Sequence, residues 1–578
     1  MHDAPASFEP DDSATATGPR GQRAHRDLIA HGARFERRLW KVRDGVWCLV
    51  GNGLSNQTFV LAPQGLIVID TGDSIQEMAS AMAEIRRHTD ARVAAVLYTH
   101  FHYVGGTAAL LNERAGPDLP IWGHARLIPN RQRFAGAIGP AYSRGMAHQF
   151  GLLLPDDGED GLLNVGLGIA YRNPDHAPHT AGFVPPTHVF DTAVAADIAG
   201  LAVEFTPAPS DADDSVTIWF PGLGVCVNNL VWPSLFNVYP IRGEEYRDPR
   251  VLLTGLDHLL GLHPEHLVGA HGPPISGRDR IRADVTDYRD SIQFLWDQTV
   301  RGINRGLTGP ELTRFVQLPQ RFERTYFTRQ FYGLAEHHVR QIHAGLVGWF
   351  DGDESSLFPV APPERARRMI EGFGGREQVR AQAQAALAQG DLRWGLELAS
   401  WLVRSELDQH GRADAGPAQD RALLAQLLRT IATRTTSANL RNWCLTRALE
   451  LQSKLDLSRF RTHRFRAADV LASPPATFVP VLGVLLDPER AAGVEDEVRW
   501  EFADGTRTGL RVRGHVAVPT DGSAASLAIA LDLATWARLL EGKVSMSGAI
   551  ADGSVRVAGD PERLRAFFGC FDHRPLGT

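Results

Sequence analysis

Two apolar segments that each end in potential metal ligands constrain the fold of this chain more than any other feature. Residues 66–69 form an unbroken apolar run that leads into Asp70, and residues 93–97 form another that leads into His100 and His102. The segment between them begins with a helix-capping signal and continues with apolar residues at helical spacing. This order predicts a strand–helix–strand unit of an α/β fold, whose site lies in the loops beyond the carboxyl ends of the strands.

Length and composition indicate a globular protein of several domains. A chain of 578 residues exceeds the size that one hydrophobic core usually organises, so we expect two to four domains. The net charge of −7 is weak for this length and favours no nucleic-acid partner. No apolar run reaches the roughly 20 residues that span a bilayer, and the polar N-terminus offers no apolar stretch that could act as a signal, so we expect no secretory export. The four cysteines are too widely spaced for a disulfide framework or a zinc ribbon, which favours a reducing, cytoplasmic location.

Changes in composition predict four segments. Residues 1–26 are polar and should form a disordered arm, whereas residues 27–355 contain the strand signals followed by linking helices. Residues 360–460 follow a proline-rich linker and are rich in Ala, Leu, Arg, Glu and Gln, which predicts a helical domain. Residues 465–578 contain apolar residues with a period of two between helical stretches, which predicts a small α+β domain.

The two histidines after the second apolar segment can hold a metal ion. Neutral imidazoles two residues apart on a short loop can face the same ion. Local packing of one ring and solvation of the other is the alternative for a bare His-x-His pair. His271 repeats the arrangement, because an apolar segment at 267–270 delivers it to a Gly-Pro-Pro loop. We therefore interpret His100, His102 and His271 as candidate ligands.

A family resemblance is carried by the sequence around these histidines. Residues 98–107, Tyr-Thr-His-Phe-His-Tyr-Val-Gly-Gly-Thr, resemble the metallo-β-lactamase signature T-H-x-H-x-D-H-x-G-G, and residues 69–72 resemble the Asp-bearing strand end that precedes it. The resemblance implies an α/β fold with an αββα metallo-β-lactamase sandwich, followed by an all-α dimerisation domain and a C-terminal α+β sterol-carrier-like domain, in a homodimer. Within the superfamily the chain is similar to the alkyl sulfatases along almost its whole length, in segments that include 237–243, 304–308, 348–352, 390–394 and 553–560.

The chain departs from that signature at the metal ligands. The Asp-His pair that supplies the second metal of the family is missing, because Val104 directly follows Tyr103. The family's first glutamate falls at Ser210 or Asp211, and its later bridging glutamate falls near residues 228 and 229, which are asparagines. The resemblance therefore implies a reduced site with one divalent metal per chain.

The implied ligands of this single ion are His100, His102, Asp211 and His271. Such a set suits zinc, and two histidines with a carboxylate also suit iron(II), so zinc is the first expectation and iron or manganese the alternatives. For the carboxylate, a ligand role for Asp213 or Asp214 and a solvated acidic loop over residues 211–214 both stay open.

The substrate expectations also come from the resemblance. Arg242 lies where the alkyl sulfatases bind the sulfate group, and a guanidinium suits that anion because it donates paired hydrogen bonds to two oxygens. Asn237 of the same segment is retained, whereas Phe150 replaces a tyrosine of the sulfate pocket. We assign Tyr103 and Asp70 as catalytic candidates, and for Tyr103 both proton donation and packing stay open.

Three functions follow in order of preference. The first is metal-assisted hydrolysis of a sulfate or related ester of a small amphipathic or anionic molecule, in which the metal lowers the pKa of water towards about 7 and the sterol-carrier-like segment presents the apolar tail. The second is a repurposed mononuclear enzyme, for example with non-haem iron, that catalyses a reaction other than sulfate release. The third is a non-catalytic dimeric scaffold or lipid-binding protein. Activity transfers from the family only as far as the site residues do.

Overall fold

Two compact units make up the chain. The computed structural model describes residues 7–114, 116, 118–407 and 416–577. One unit comprises residues 1–127 and 144–457, and the other comprises residues 128–143 and 458–578. The first predicted domain is therefore interrupted, because residues 128–143 belong to the C-terminal unit, where the ring of His463 lies 3.0 Å from the carbonyl oxygen of Ala137.

Residues 7–26 are ordered, which corrects the expectation of a disordered arm for that stretch. The short strand β1 (Thr15–Thr17) pairs antiparallel with β2 (Arg23–His25). The Ser7 carbonyl also accepts a hydrogen bond from the Thr435 hydroxyl at 2.8 Å, which ties the segment to the helical region. Backbone pairing of this kind orders a polar segment, and its composition does not reveal it. Residues 1–6 lie outside the described residues.

A seven-stranded sheet forms the first half of the sandwich. Its strands follow one another in chain order, antiparallel up to the fourth strand and parallel from there on. They are β3 (Arg38–Arg43), β4 (Val46–Val50), β5 (Gln57–Ala62), β6 (Gly65–Ile69), β7 (Val93–Leu97), β8 (Ile121–His124) and β9 (His188–Phe190).

A six-stranded sheet forms the second half, and the inner faces of the two sheets share one apolar core. Ile67 and Leu97 of the first sheet belong to the same buried cluster as Phe205, Ile218 and Val268 of the second. The unbroken apolar runs of β6 and β7 are explained by burial on both faces of the sheet. The strands of the second sheet are β10 (Val194–Ile198), β11 (Leu201–Pro207), β12 (Val216–Phe220), β13 (Val225–Asn228), β14 (His266–Gly269) and β15 (Ile275–Ser276).

Helices of the first unit flank the two sheets and complete the expected αββα sandwich. The predicted helix between the two apolar segments is confirmed, and its N-cap Ser74 accepts a hydrogen bond from the Glu77 amide at 3.2 Å. None of the described helices is both long and apolar enough to cross a membrane. The helices up to residue 347 are α1 (Arg26–Gly32), α2 (Ile75–Ile85), α3 (Leu127–Ala135), α4 (Gly139–Gln149), α5 (Pro249–Gly261), α6 (Arg278–Ile303), α7 (Gly309–Phe315), α8 (Gln320–Arg324) and α9 (Ala335–Val347).

The predicted helical region follows after the proline-rich linker. Its helices pack around a shared core that includes Leu398, Leu402, Leu427 and Leu445. The sequence at residues 410–417 interrupts the helix-favouring composition and predicts a break between helices, but residues 408–415 lie outside the described residues. The helices are α10 (Pro362–Gly372), α11 (Arg376–Gln389), α12 (Leu392–Arg404), α13 (Ala418–Arg434) and α14 (Ala438–Leu451).

The C-terminal unit is an α+β structure, as its alternating apolar pattern predicts. Trp500 and Trp536 are fully buried, and their rings lie 6.0 Å apart in its core. The strands are β16 (Glu497–Phe502), β17 (Arg507–Arg513), β18 (Val516–Thr520), β19 (Leu527–Leu531) and β20 (Arg556–Ala558), in the sheet order β18-β17-β16-β19-β20. The helices are α15 (Ala467–Leu471), α16 (Leu533–Glu541), α17 (Met546–Ala551), α18 (Pro561–Gly569) and α19 (Arg574–Gly577).

Candidate metal centre

Two loops from the two sheets bring the candidate ligands together. His100 and His102 lie in the turn that follows β7, and Asp211 lies in the loop between β11 and β12. The Thr99 carbonyl accepts a hydrogen bond from the amide of Val216, the first residue of β12, at 2.9 Å. This bond joins the histidine loop to the strand that follows Asp211, so it holds the carboxylate beside the imidazoles.

His100, His102 and Asp211 form a compact cluster of potential ligand atoms, which we name the His–His–Asp cluster. One nitrogen of each ring and one carboxylate oxygen all lie within 4.8 Å of one another. His102 Nδ1 is 3.3 Å from Asp211 Oδ2, and His100 Nε2 is 3.9 Å from Asp211 Oδ1. Among the described residues, His100 Nε2 is buried and makes no hydrogen bond. A buried imidazole nitrogen without a protein partner is available as a metal ligand.

Thr99 connects Asp70 to His100 and sets the tautomer of that ring. The Thr99 amide and hydroxyl donate to the two oxygens of Asp70, at 2.8 and 2.6 Å. Because the hydroxyl proton is used in this way, Thr99 Oγ1 accepts from His100 Nδ1 at 2.9 Å. The lone pair of His100 Nε2 then faces Asp211, as a metal ligand requires.

Asp70 lies behind the cluster in a buried, left-handed turn. Its φ is 57°, and burial raises its pKa to about 7 while the hydrogen bonds from Thr99 oppose that rise. The structure therefore places this sequence-predicted catalytic residue against Thr99, one residue removed from the ligand atoms.

Asp211 is held as a carboxylate by its neighbours. Burial disfavours its charge, but the adjacent His100 and His102 outweigh burial and hold the pKa of Asp211 well below its usual range. Asn229 donates to Asp211 Oδ1 at 2.6 Å. Of the two asparagines expected near the family's bridging glutamate, Asn229 is thus the one that contacts the cluster. Among the alternative carboxylates, Asp213 forms an ion pair with Arg126.

Burial also keeps two of the candidate histidines, His100 and His271, in their neutral form. Burial lowers the pKa of His100 to about 3 and that of His271 to about 4. Both rings are therefore uncharged at neutral pH, which is the form that binds a metal ion.

His271 lies beside the cluster and faces Tyr103. His271 Nδ1 is 3.0 Å from the Leu54 carbonyl oxygen, so Nδ1 carries the proton and Nε2 is an acceptor. The Tyr103 hydroxyl lies 3.3 Å from that Nε2. Burial raises the pKa of Tyr103 well above its usual value, so the phenol keeps its proton.

The three residues expected to bind the substrate, Arg242, Asn237 and Phe150, lie in the same compact unit as the His–His–Asp cluster. Arg242 is buried, and its Nη2 donates to Glu244 Oε2 at 3.0 Å. The guanidinium carbon lies 5.9 Å from the centre of the Phe150 ring, and that ring stacks on Tyr171 with centroids 5.2 Å apart. Phe150 thus provides an apolar wall next to the arginine.

A glycine in α4 lets the arginine segment come close. A Cβ atom at Gly145 would lie 2.0 Å from the Arg242 carbonyl oxygen, so only glycine fits there. The Arg242 amide also donates to Gln149 Oε1 at 3.1 Å. These two contacts fix the backbone from which Arg242 projects.

Three further residues of the site have no periodic signal in the sequence. Glu244, Arg247 and His338 are buried next to Arg242 or Asn237. For Glu244 and Arg247, one indication was the unusual density of charge at residues 242–250, in a segment without helical or strand spacing, whereas His338 on α9 has no such signal.

Two family models match the second half of the chain. The model described as alkyl sulfatase dimerisation matches residues 308–454, and the model described as alkyl sulfatase C-terminal matches residues 465–575.

Curated relatives match most of the chain. A linear primary-alkylsulfatase of Pseudomonas sp. (strain ATCC 19151) is 34% identical over 529 residues, which cover 88% of this chain and 97% of that protein. An (R)-specific secondary-alkylsulfatase of Pseudomonas sp. is 26% identical over 553 residues, or 92% of this chain and 80% of that protein. The solved structure of a stereoselective inverting sec-alkylsulfatase from Pseudomonas sp. superposes with a TM-score of 0.84 at 25% identity, and covers 95% of this chain and 87% of the other.

Proposed function

Because this chain belongs to the alkylsulfatase family of metallo-β-lactamase-fold hydrolases, we propose that it hydrolyses the sulfate ester of a small molecule with an apolar group. The reaction converts the ester and one water into an alcohol and hydrogensulfate. The observation that carries the proposal is the His–His–Asp cluster, which brings two imidazole nitrogens and one carboxylate oxygen within 4.8 Å of one another.

The cluster fits one divalent metal ion. His100, His102 and Asp211 would hold it through two imidazole nitrogens and one carboxylate oxygen, a donor set that suits zinc first and iron(II) or manganese as alternatives. When bound, such an ion supplies Lewis acidity, which stabilises negative charge and lowers the pKa of water. Asp70 acts through Thr99 as a positioning residue, because it orients His100 and does not reach the ligand atoms.

We assign His271 to the site through Tyr103, which differs from the ligand role expected from the sequence. His271 Nε2 accepts from the Tyr103 hydroxyl, and this bond orients the phenol. The phenol stays protonated, and rotation of the hydroxyl would redirect its one hydrogen bond from His271 Nε2 to the leaving oxygen of the substrate.

Arg242 and Asn237 bind the anionic head in this proposal. A buried guanidinium forms strong, paired hydrogen bonds with a sulfate group, and the fully buried Asn237 amide adds a neutral donor. The Phe150 ring lies against the arginine and offers an apolar contact instead of the family's hydroxyl.

We also propose that the chain forms a homodimer. The dimerisation family model begins within the linking helices, and large apolar side chains are exposed just before α10. Trp349 is 73% exposed and Phe358 is 92% exposed, and together with Leu357 they form an apolar stretch that a second copy would cover. Light scattering of the purified chain is expected to give twice the chain mass, and W349D/F358D a single chain mass. A monomeric wild type would contradict the proposal.

Two finer assignments complete the proposal. We infer a cytoplasmic location, which is supported by four buried, unpaired thiols, and fractionation of expressing cells tests it.

We further propose that the C-terminal unit is sterol-carrier-like and binds the apolar group of the substrate. A dodecanol-induced change in tryptophan emission that is absent in W536F supports this role, and an unchanged wild-type emission contradicts it.

One experiment tests the main proposal directly. Purified protein is assayed for sulfate release from dodecyl sulfate by ion chromatography, and its metal content is measured by mass spectrometry. We expect one metal ion per chain and sulfate release, with both lost in H100A and D211A. The exposed α5 residue His258 provides the matched control, H258A. A metal-free, inactive wild type after growth with zinc, iron and manganese would support the scaffold hypothesis instead, and bound iron without sulfate release would support a repurposed enzyme.

A further inference from the structure

One amide side chain, that of Asn229, lies between the Asp211 carboxylate and a buried tryptophan. Its Nδ2 donates to Asp211 Oδ1 at 2.6 Å, and lies 3.1 Å from Ser210 Oγ and 3.3 Å from Ser215 Oγ. Its Oδ1 accepts from the indole nitrogen of Trp232 at 3.2 Å. Asn229 therefore connects Asp211 to Trp232 through the two ends of one amide.

The orientation of this amide is fixed by its two neighbours. An indole N–H can only donate, so the amide oxygen faces Trp232 and the NH₂ group faces Asp211. Asn229 and Trp232 are each 1% exposed, and the Trp232 ring centroid lies 4.6 Å from that of Phe236. Rotation of the amide would leave buried polar groups unpaired, which is costly, so this orientation is stable.

The two oxygens of Asp211 consequently have different surroundings. Asn229 holds Oδ1, whereas Oδ2 lies 3.3 Å from His102 Nδ1. The bond from the amide fixes the plane of the carboxylate and occupies Oδ1. An ion bound between His100 and His102 is therefore offered Oδ2 alone as the carboxylate ligand.

The number of carboxylate oxygens bears on which metal ion the cluster selects. Zinc is usually four-coordinate and accepts nitrogen ligands well, whereas manganese(II) prefers octahedral sites that are rich in oxygen. A carboxylate that is free to turn can bind a metal ion through both oxygens. Two imidazoles with one fixed carboxylate oxygen therefore favour zinc.

We propose that Asn229, oriented by Trp232, is a positioning residue that restricts Asp211 to one ligand oxygen and so selects zinc over manganese(II). Removal of the amide should weaken zinc binding more than manganese binding, because Oδ1 then becomes available to the ion that prefers more oxygen ligands. The inference rests on the proposed function for its metal ion, and it names the residues that decide the identity of that ion.

Metal titration of the full chain, after its own metal has been removed, tests the inference. Zinc affinity is measured by competition with a chelator, and manganese(II) affinity by electron paramagnetic resonance of the free ion. In N229L, which removes the amide but keeps a similar volume, we expect zinc to bind about ten-fold or more weakly and manganese(II) affinity to change by less than about two-fold. W232F removes only the N–H that orients the amide, so its zinc-to-manganese affinity ratio should fall by a smaller factor.

The neighbouring Asn228 provides the matched control. It is fully buried as well, but its Oδ1 accepts from the backbone amides of Leu230 and Val231, and its Nδ2 donates to the Val268 carbonyl. N228A should therefore lower the melting temperature and leave the zinc-to-manganese affinity ratio as in the wild type.

Four results would overturn the role of Asn229. They are an unchanged affinity ratio in N229L, an equal loss of both ions in N229L, a fall of the same size in N228A, and a wild type that binds neither ion. If N229L is misfolded by circular dichroism, the ratio in W232F against that in the wild type decides.

The outcomes also separate this inference from the proposed function. If the affinity ratio falls in N229L but the wild type releases no sulfate from dodecyl sulfate, the inference stands and the proposed hydrolysis fails. If the wild type releases sulfate and the ratio is unchanged in N229L, hydrolysis stands and Asn229 has no part in the choice of metal.

Discussion

The Tyr103 hydroxyl lies 3.3 Å from Nε2 of His271, and the tyrosine ring meets both His100 and His271 edge to face, with centroids 5.0 and 5.4 Å away. The phenol therefore fills the space between the His–His–Asp cluster and the distal histidine. This side chain therefore contacts both the ligand cluster and the distal histidine.

Replacing Tyr103 by phenylalanine separates proton or hydrogen-bond donation from packing. Y103F keeps the ring but removes the hydroxyl, so we expect one metal per chain as in the wild type. Sulfate release should fall roughly a hundred-fold, the usual effect of losing one donor to a developing oxyanion. Initial rates and metal analysis on the same preparation check this, and an unchanged rate would leave packing as the role of Tyr103.

Replacing Thr99 tests the connection between Asp70 and His100. T99V keeps the shape but removes the hydroxyl that donates to Asp70 and accepts from His100. We expect the affinity for zinc to fall about ten-fold or more, as for other residues that orient a metal-binding histidine. Competition with a chelator measures this, and T99S, which keeps the hydroxyl, is the control. Wild-type affinity in T99V would show that the bridge has no influence on the metal.

The close approach at Gly145 predicts a linked loss of stability and substrate binding. In G145A the new methyl group would meet the Arg242 carbonyl, so α4 or the arginine segment must move. We expect destabilisation of about 1–3 kcal/mol and a higher KM. Thermal melting and steady-state kinetics measure the two effects. At the C-terminal end of α5, Gly261 has open space around its Cα, so G261A should change neither quantity by much.

Because the His31 side chain is buried, we expect the folded protein to lose stability in acid. Burial lowers its pKa to about 3, while its ring stacks on Phe331 with centroids 4.0 Å apart. The unfolded chain takes up a proton near pH 6.5 but the folded chain does not, so stability is greatest above that pH and falls as the pH is lowered towards 3.

A comparison with H31Q isolates this contribution. His31 alone should account for on the order of 2–3 kcal/mol of lost stability between pH 7 and pH 4.5. Urea unfolding at the two pH values is expected to show a smaller pH dependence for H31Q than for the wild type. The same pH dependence in both proteins would mean that His31 titrates normally in the fold.

Local patterns were sufficient to predict the strand–helix–strand unit. The apolar runs of β6 and β7 and the helical spacing of α2 are properties of neighbouring residues, so they are visible without any knowledge of the fold. The same holds for His100 and His102, because both lie on one short turn after β7. The order of the segments also predicted the αββα sandwich, the helical region and the C-terminal α+β unit.

Tertiary structure decided which distant residues complete the site. Among the acidic residues 211–214, Asp211 joins the histidines, whereas Asp213 pairs with Arg126. Arg247 and His338 were not predicted, because they lie on a loop and a helix that meet only in the folded chain. Residues 7–26 and 128–143 likewise acquire their places through contacts with distant segments.

The physical reason is the range of the interactions. Hydrophobic periodicity and helix capping act between residues a few positions apart, so the sequence of this chain determines its elements and the histidine pair on its own. Ligand geometry, hydrogen-bond satisfaction and charge balance depend on side chains that are brought together from separate loops. The bond between Tyr103 and His271, and the carboxylate that Arg242 and Arg247 share, therefore exist only in the folded protein.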